Sequence, residues 1–336
     1  MQRIINPVGH TINKEDNKTS SEEKIWLLPE SGNLYKVNMH SHSTISDGSF
    51  SPEELKKLYM EKGYHAVVFS DHRKCVPHTD LTDENFVALT GTELDFGYCD
   101  ESGLTRKIVH INAIAKDPDL KFEKVSMPLD YDLINEVIRE MKGMDCFVTV
   151  NHPVFSDMST DDLLRLKGMD GVEVYNSIGT MFNNYSDDSA FYEYFIRAGG
   201  RAMPVAGDDC HMHYEDGTPF EDYFQGFTVV KAPELTYNAL VKGVVEGAHY
   251  ASTGPMFKNL WLEGDMLHVQ CSPVCGVFVH GKYLFYKAVE VERTDNLTEV
   301  TLDISGLRVV SPYIWVQLRD TQGKKAWAVP YWFENK

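Results

Sequence analysis

The histidines and carboxylates of this 336-residue chain include several at the ends of apolar runs, where side chains of that type can share a cation. His40 and His42 form a His-x-His pair. Side chains on an extended segment alternate with period two, so both imidazoles face the same side and suit chelation of one ion. Asp47 follows in Ser46-Asp47-Gly48, and then come Asp71-His72, Glu93, His110, Asn151-His152 and Asp209-Cys210-His211. Any one of these is an ordinary hydrogen-bonded or solvated side chain. Their ordered recurrence, one apolar run after another, is what points to metal.

The positions require a scaffold of rigid strand ends. Apolar or β-branched runs at 34–39, 65–70, 86–93, 108–115, 146–150, 171–175, 203–206, 227–230 and 250–252 read as strands. Helical patterns lie between several of them. Ser51-Pro52-Glu53-Glu54 supplies a cap, a proline for the first turn and two acids near the positive helix end. Further helices are expected at 130–142, 188–198 and 233–246. Such alternation predicts βα units around a parallel sheet or barrel, whose C-terminal mouth is where active sites form. Beyond Gly254-Pro255 the pattern changes to strand-length runs at 267–271, 277–280, 288–291, 298–304 and 313–318, read as a small all-β module. The expected organisation is a polar arm over 1–33, a barrel over 34–254 and a β module over 255–336.

The motifs resemble those of the polymerase and histidinol phosphatase (PHP) superfamily of metal-dependent phosphoesterases. His40-Ser41-His42-Ser43-Thr44-Ile45-Ser46-Asp47-Gly48 looks like its first motif, and Ser70-Asp71-His72, Asn151-His152-Pro153 and Asp209-Cys210-His211 like the next three. The C-terminal module resembles the appended domain of one subgroup. Asn38-Met39 stands where many relatives carry Asp-Leu. The resemblance implies an α/β fold, a distorted (β/α)7 barrel with a small sandwich-like C-terminal domain, and three divalent ions. One ion would take His40, His42, Glu93 and Asp209; a second would take Glu93, His110 and His152; a third would take Asp47, His72 and His211. Asp95 is an alternative to Glu93. The implied reaction is hydrolysis of a small anionic phosphomonoester or diester by a hydroxide bridging two ions, with His40, His42, Glu93, His152 and Asp209 at the reacting centre. Hydrolysis of a carboxylic ester or carbamate, or metal-loaded binding without turnover, are the alternatives.

Six imidazoles and three carboxylates without a thiolate suit Mn²⁺, Zn²⁺ or Fe²⁺ and disfavour Ca²⁺ or a structural zinc site. Three divalent ions against three carboxylates leave a positive centre of about +3, in a chain whose formal charge is −18. Around it, Arg73 and Lys74 are expected to reach a phosphate, Glu173, Tyr175, Asn176 and His213 to lie near the mouth and contact substrate or shuttle a proton, and Asp208 to support a ligand histidine. Cys210 is expected to point away from its ligand neighbours.

Composition excludes other classes. A hydrophobic fraction of 43% with 24% charged residues is globular rather than disordered or fibrous. Thirty-two basic against fifty acidic residues, with no Lys/Arg cluster, offer no track for a nucleic-acid backbone. No apolar run nears the roughly 18 residues of a membrane span, and the six cysteines include no Cys-x-x-Cys. The expectation is a soluble, cytoplasmic protein with reduced thiols.

Overall fold

The computed structural model describes residues 2–5 (backbone), 24–182, 184–211, 222–291 and 294–333. Eight apolar runs become β1 (Asn33–Asn38), β2 (Ala66–Phe69), β3 (Val87–Cys99), β4 (Thr105–Ala115), β5 (Cys146–Val150), β6 (Gly171–Asn176), β7 (Met203–Gly207) and β8 (Phe227–Ala232). β1, β2 and β3 are parallel, as are β5, β6 and β7. β4 runs antiparallel to both β3 and β5, and β8 antiparallel to β1. The connection at 100–104 is too short for the crossover that a parallel neighbour needs, so β3 and β4 form a hairpin.

This departs from a regular (β/α)7 alternation. The molecule is mixed α/β and strand-rich, with no backbone ladder between β7 and β8 among the described residues. There the Thr228 hydroxyl accepts from the Ala206 amide at 2.9 Å and donates to the Ala206 carbonyl at 3.0 Å. Helices cover the flanks. In α1 (Pro52–Glu61) the Ser51 hydroxyl accepts from Glu54 N, the Glu54 carboxylate accepts from Ser51 N, and Leu55 and Tyr59 are buried. In α2 (Tyr131–Gly143), capped by Asp130, Ile134, Val137, Ile138 and Met141 share the buried face. No helix among the described residues is long and apolar enough to cross a membrane.

The C-terminal strands are continuous with the rest. Lys325–Ala328 pairs with His249–Ser252, which pairs with β8, so one sheet extends from β7 through β1 into Tyr313–Arg319 and Gly276–His280. A second, four-stranded sheet lies beside it. Leu267, Val269 and Leu302 of that sheet share a single buried cluster with Val316 and Leu318 and with Tyr59 and Phe69. Residue 254 therefore marks a change of sequence pattern but not a break in the sheet. Two stretches within the expected polar arm are strands: Lys24–Leu28 is the edge of the four-stranded sheet, and Gln2–Ile5 pairs with Tyr286–Val291. Four apolar residues, Ile25-Trp26-Leu27-Leu28, suffice once a partner strand takes up their backbone groups.

Candidate metal centre

Strand ends carry the donors. His40 and His42 leave β1 on a segment held by His42 N donating to Cys210 O at 3.0 Å. Gly207 permits this approach, because a Cβ there would lie 2.7 Å from His40 Cβ. The following turn folds back on itself at Gly48, where a Cβ would lie 2.3 Å from His42 O. Asp71 pins that turn: its carboxylate accepts from Ser43 N and Oγ, both at 2.8 Å, and from Ser46 N at 3.1 Å and Oγ at 2.7 Å. Asp47 is thereby presented to His42, His72 and His211 at 3.6–3.7 Å.

Glu93 is not at a strand end. β3 continues to Cys99, and Glu93 sits just past the point where β3 leaves β2 and pairs with β4. His110 approaches from the middle of β4, opposite Asp95 in register. His152 and Asp209 both have left-handed backbones, φ 30° and 55°, a costly conformation for residues other than glycine and one that clusters at functional sites.

These elements bring together all nine expected donors. Three sets each have their ligand atoms within 4.8 Å of one another: His40, His42, Glu93 and Asp209; Glu93, His110 and His152; and His42, Asp47, His72 and His211. The expectation gave the third set no residue in common with the others, but His42 belongs to two. Its Nε2 lies 3.0 Å from Asp209 Oδ1 and 3.3 Å from Glu93 Oε2, while Nδ1 lies 3.7 Å from Asp47. Glu93 is likewise shared: Oε1 lies 3.3 Å from His40 Nε2 and 3.0 Å from His110 Nδ1, and Oε2 3.2 Å from His72 Nδ1.

The chemistry of the donors fits divalent cations. His40 Nε2 and His42 Nε2 converge to 3.1 Å, and Asp209 Oδ1, His42 Nδ1 and His72 Nδ1 are buried without a well-aligned hydrogen bond. Buried polar atoms left without partners are uncommon, and a cation among them satisfies several at once. Charge is balanced tightly. Burial alone would raise Glu93, but His40, His110 and His72 hold it well below the ordinary carboxylate range; Asp209, buried too, is held low by His40 and His42. Burial opposes charge on His40 and His42, yet Asp209 and Glu93 raise His40 well above its usual value and His42 to about 10. His72 behaves oppositely: burial dominates and lowers it to about 4, and His211 is lowered as well.

A surrounding layer orients the donors. Glu173 Oε1 lies 2.9 Å from His40 Nδ1, an acceptor that keeps a proton on that nitrogen and leaves Nε2, facing the centre, as the one that would bind a cation once the ring is neutral. Glu173 Oε2 accepts from His152 N and from Asn176 Nδ2, both at 2.8 Å. Ser156 Oγ contacts His152 Nδ1 at 2.8 Å, and Asn151 Nδ2 donates to Glu93 Oε1 at 2.8 Å. Asn38 Oδ1 accepts from His40 N at 3.3 Å and Asp208 N at 2.9 Å, so the departure at this position keeps an acceptor. The roles of Ser156, Asn151 and Asp71 were not evident in the sequence; Asn151 and Asp71 adjoin ligand histidines, and Ser156 has no comparable signal.

Several expected roles change. Asn176 is buried, with its amide donating to Glu173 and to Asp209 Oδ2 at 3.2 Å, so it positions these two carboxylates. Asp208 touches no ligand side chain. Its carboxylate accepts from Tyr59 OH, Ser177 Oγ and the amides of Phe224, Gln225 and Gly226 at 2.6–3.0 Å, tying the 224–226 segment to the sheet. Asp95 is in no donor set; it accepts from Arg73 Nη1 at 2.5 Å, and Arg73 is 38% exposed beside His72. Lys74 Nζ donates to Ile45 O at 2.8 Å. Cys210 packs in the core, as its alternation implied. His213 lies outside the described residues.

No family model and no curated protein matches the chain. Among solved structures it is similar to a two-domain protein from Bacteroides vulgatus containing a predicted PHP-like metal-dependent phosphoesterase, at 14% identity over 95% of this chain and 99% of that one, TM-score 0.45. A candidate metal-dependent phosphoesterase from Bifidobacterium adolescentis is similar at 16% identity over 56% of this chain and 91% of its own, TM-score 0.40. An amidohydrolase from Chromobacterium violaceum with bound sulfate and no metal is similar at 15% identity, 55% and 93% coverage, TM-score 0.38.

Proposed function

We propose that the chain is a metal-dependent hydrolase of small anionic phosphate esters of the PHP kind, holding three divalent ions drawn from Mn²⁺, Zn²⁺ or Fe²⁺. The observation that carries this reading is the sharing of donors: Glu93, with two carboxylate oxygens, belongs to two of three contiguous sets, and His42 stands between two and can give its one lone pair to either, an arrangement suited to ions close enough to act on one substrate. Bound there, divalent ions lower the pKa of water from about 15.7 toward 7 and offset the charge of an anionic ester. The chain's own residues prepare the site for this. Glu173 sets the tautomer of His40, the Asp209 carbonyl 2.9 Å from His211 Nδ1 sets that of His211, and the buried Glu93 and Asp209 carboxylates stay ionised.

The test is metal analysis of the purified protein with parallel assays on nitrophenyl phosphate, bis(nitrophenyl) phosphate and nitrophenyl acetate. Expected are bound metal and turnover of a phosphate ester, abolished by chelation and restored by Mn²⁺, Zn²⁺ or Fe²⁺ but not Ca²⁺. Turnover of the acetate alone would reassign the reaction to carbon esters. Bound metal with no turnover on any of the three would make the chain a binding protein.

A further inference from the structure

The two flanks of the donor cluster differ in chemistry. Beside His42, His72 and His211 stands Asp47, 52% exposed, and the Arg73–Asp95 pair follows His72 in the chain. Beside the donor His152, Phe155 stands edge-on, ring centroids 5.3 Å apart at 86°. Beyond it Phe182, on the short helix Ile178–Phe182 that follows Asn176, lies 5.8 Å from Phe155 at 54° and is 60% exposed. An aromatic strip therefore leads from a metal donor out to solvent.

Phe182 is one of twelve large apolar side chains left exposed among the described residues, and it stands one ring away from the donors. Aromatic side chains bind flat rings by edge-to-face or offset stacking, at a gain of about tenfold in affinity per well-placed pair. An ester with its phosphoryl group at the cluster has its leaving group directed outward, over one flank or the other. The charged flank suits an oxyanion and the aromatic flank suits a ring.

We infer that Phe155 and Phe182 form a subsite for an unsaturated ring in the leaving group, so that the substrate is a phosphate ester of an aromatic or heteroaromatic alcohol, or of one carrying such a ring close to the oxygen. This rests on the phosphoesterase reading and narrows it.

The measurement is kcat/KM for phenyl phosphate and for a fluoroalkyl phosphate of similar leaving-group acidity, on wild type, Phe182→Ala and Phe155→Leu, each checked for metal content. Wild type should favour the aryl ester by about tenfold through KM, and Phe182→Ala should remove most of that preference. Phe155→Leu, which keeps bulk beside His152, should reduce it with metal content retained. Equal efficiency on the two esters in wild type, or an unchanged ratio in Phe182→Ala, overturns the subsite and leaves the hydrolase reading standing. Hydrolysis of neither ester, with bis(nitrophenyl) phosphate also untouched, by metal-loaded wild type overturns both.

Discussion

The donors around Glu93 and those around Asp47 are held in different ways. His40, His152, Asp209 and Glu93 are all buried, and each has a further partner that fixes its orientation: Glu173, Ser156, Asn176 and Asn151 respectively. Asp47 is half-exposed on a turn and His72 partly exposed, and the turn is anchored by Asp71 through Ser43 and Ser46. Donors oriented in advance lose little freedom on binding an ion, whereas mobile ones must be ordered by it. The inner sets should therefore bind more tightly, and the outer ion should be the one that exchanges.

The largest effect should come from Glu93→Gln or Asp209→Asn. Each removes a buried charge from the inner sets, and turnover should fall by at least about 10³-fold, with most of the bound metal lost on elemental analysis. Retention of a tenth of the wild-type rate by both would remove the inner sets from the chemistry.

Next in size is Glu173→Ala. Glu173 belongs to no donor set, yet the substitution releases the His40 ring, the His152 amide and Asn176 together. Metal affinity, read by competition with a chromogenic chelator, should drop about 10- to 100-fold. An unchanged affinity would show that the inner donors need no outer support.

His72→Ala should have a smaller consequence, lowering metal content from about three to about two per chain with unchanged circular dichroism and a loss of activity of about tenfold. Loss of every ion would show that the bridging position of His42 makes the sets inseparable.

The subtlest difference is in protons. In the metal-free chain at pH 8, His42, raised to about 10 by Asp209 and Glu93 against the effect of burial, is protonated. Its charge adds stability that is complete at lower pH and disappears as pH rises through about 10. Metal needs the neutral ring, so loading the inner sets should release protons, which titration calorimetry reads in buffers of different ionisation enthalpy. His72, lowered to about 4, is already neutral and releases none. The proton count on loading should thus be the same for wild type and His72→Ala, and a lower count in the variant would contradict the division.

Much of the centre was legible because its residues declare their chemistry and follow or lie within apolar runs of strand length. His40-Ser41-His42 after β1 needs only period-two alternation to put two donors on one side; at Asp209-Cys210-His211 after β7 the left-handed Asp209 interrupts the extended backbone, and Cys210 still packs in the core. His110 was harder to place, since β4 runs against its neighbours and delivers its donor from the middle of the strand and not from its end. Asp208 misled for a related reason: adjacent residues on an extended segment face opposite ways, so the neighbour of a ligand faces the packing around Tyr59.

The sequence by itself determined the His40/His42 pair, the capped helix at Ser51 and the β-rich character of the last eighty or so residues, because residue type, alternation and local capping are properties of short stretches, while the set of nine expected donors rested on the resemblance of the motifs to those of the PHP superfamily. Only the tertiary structure decided that His42 is common to two sets, that Asn176 and Asp208 serve as positioning and packing groups, that Lys24–Leu28 is an edge strand and that one sheet runs unbroken past residue 254. Each of these depends on strand direction and register between segments far apart in the chain, and pairing across such distances leaves no local mark.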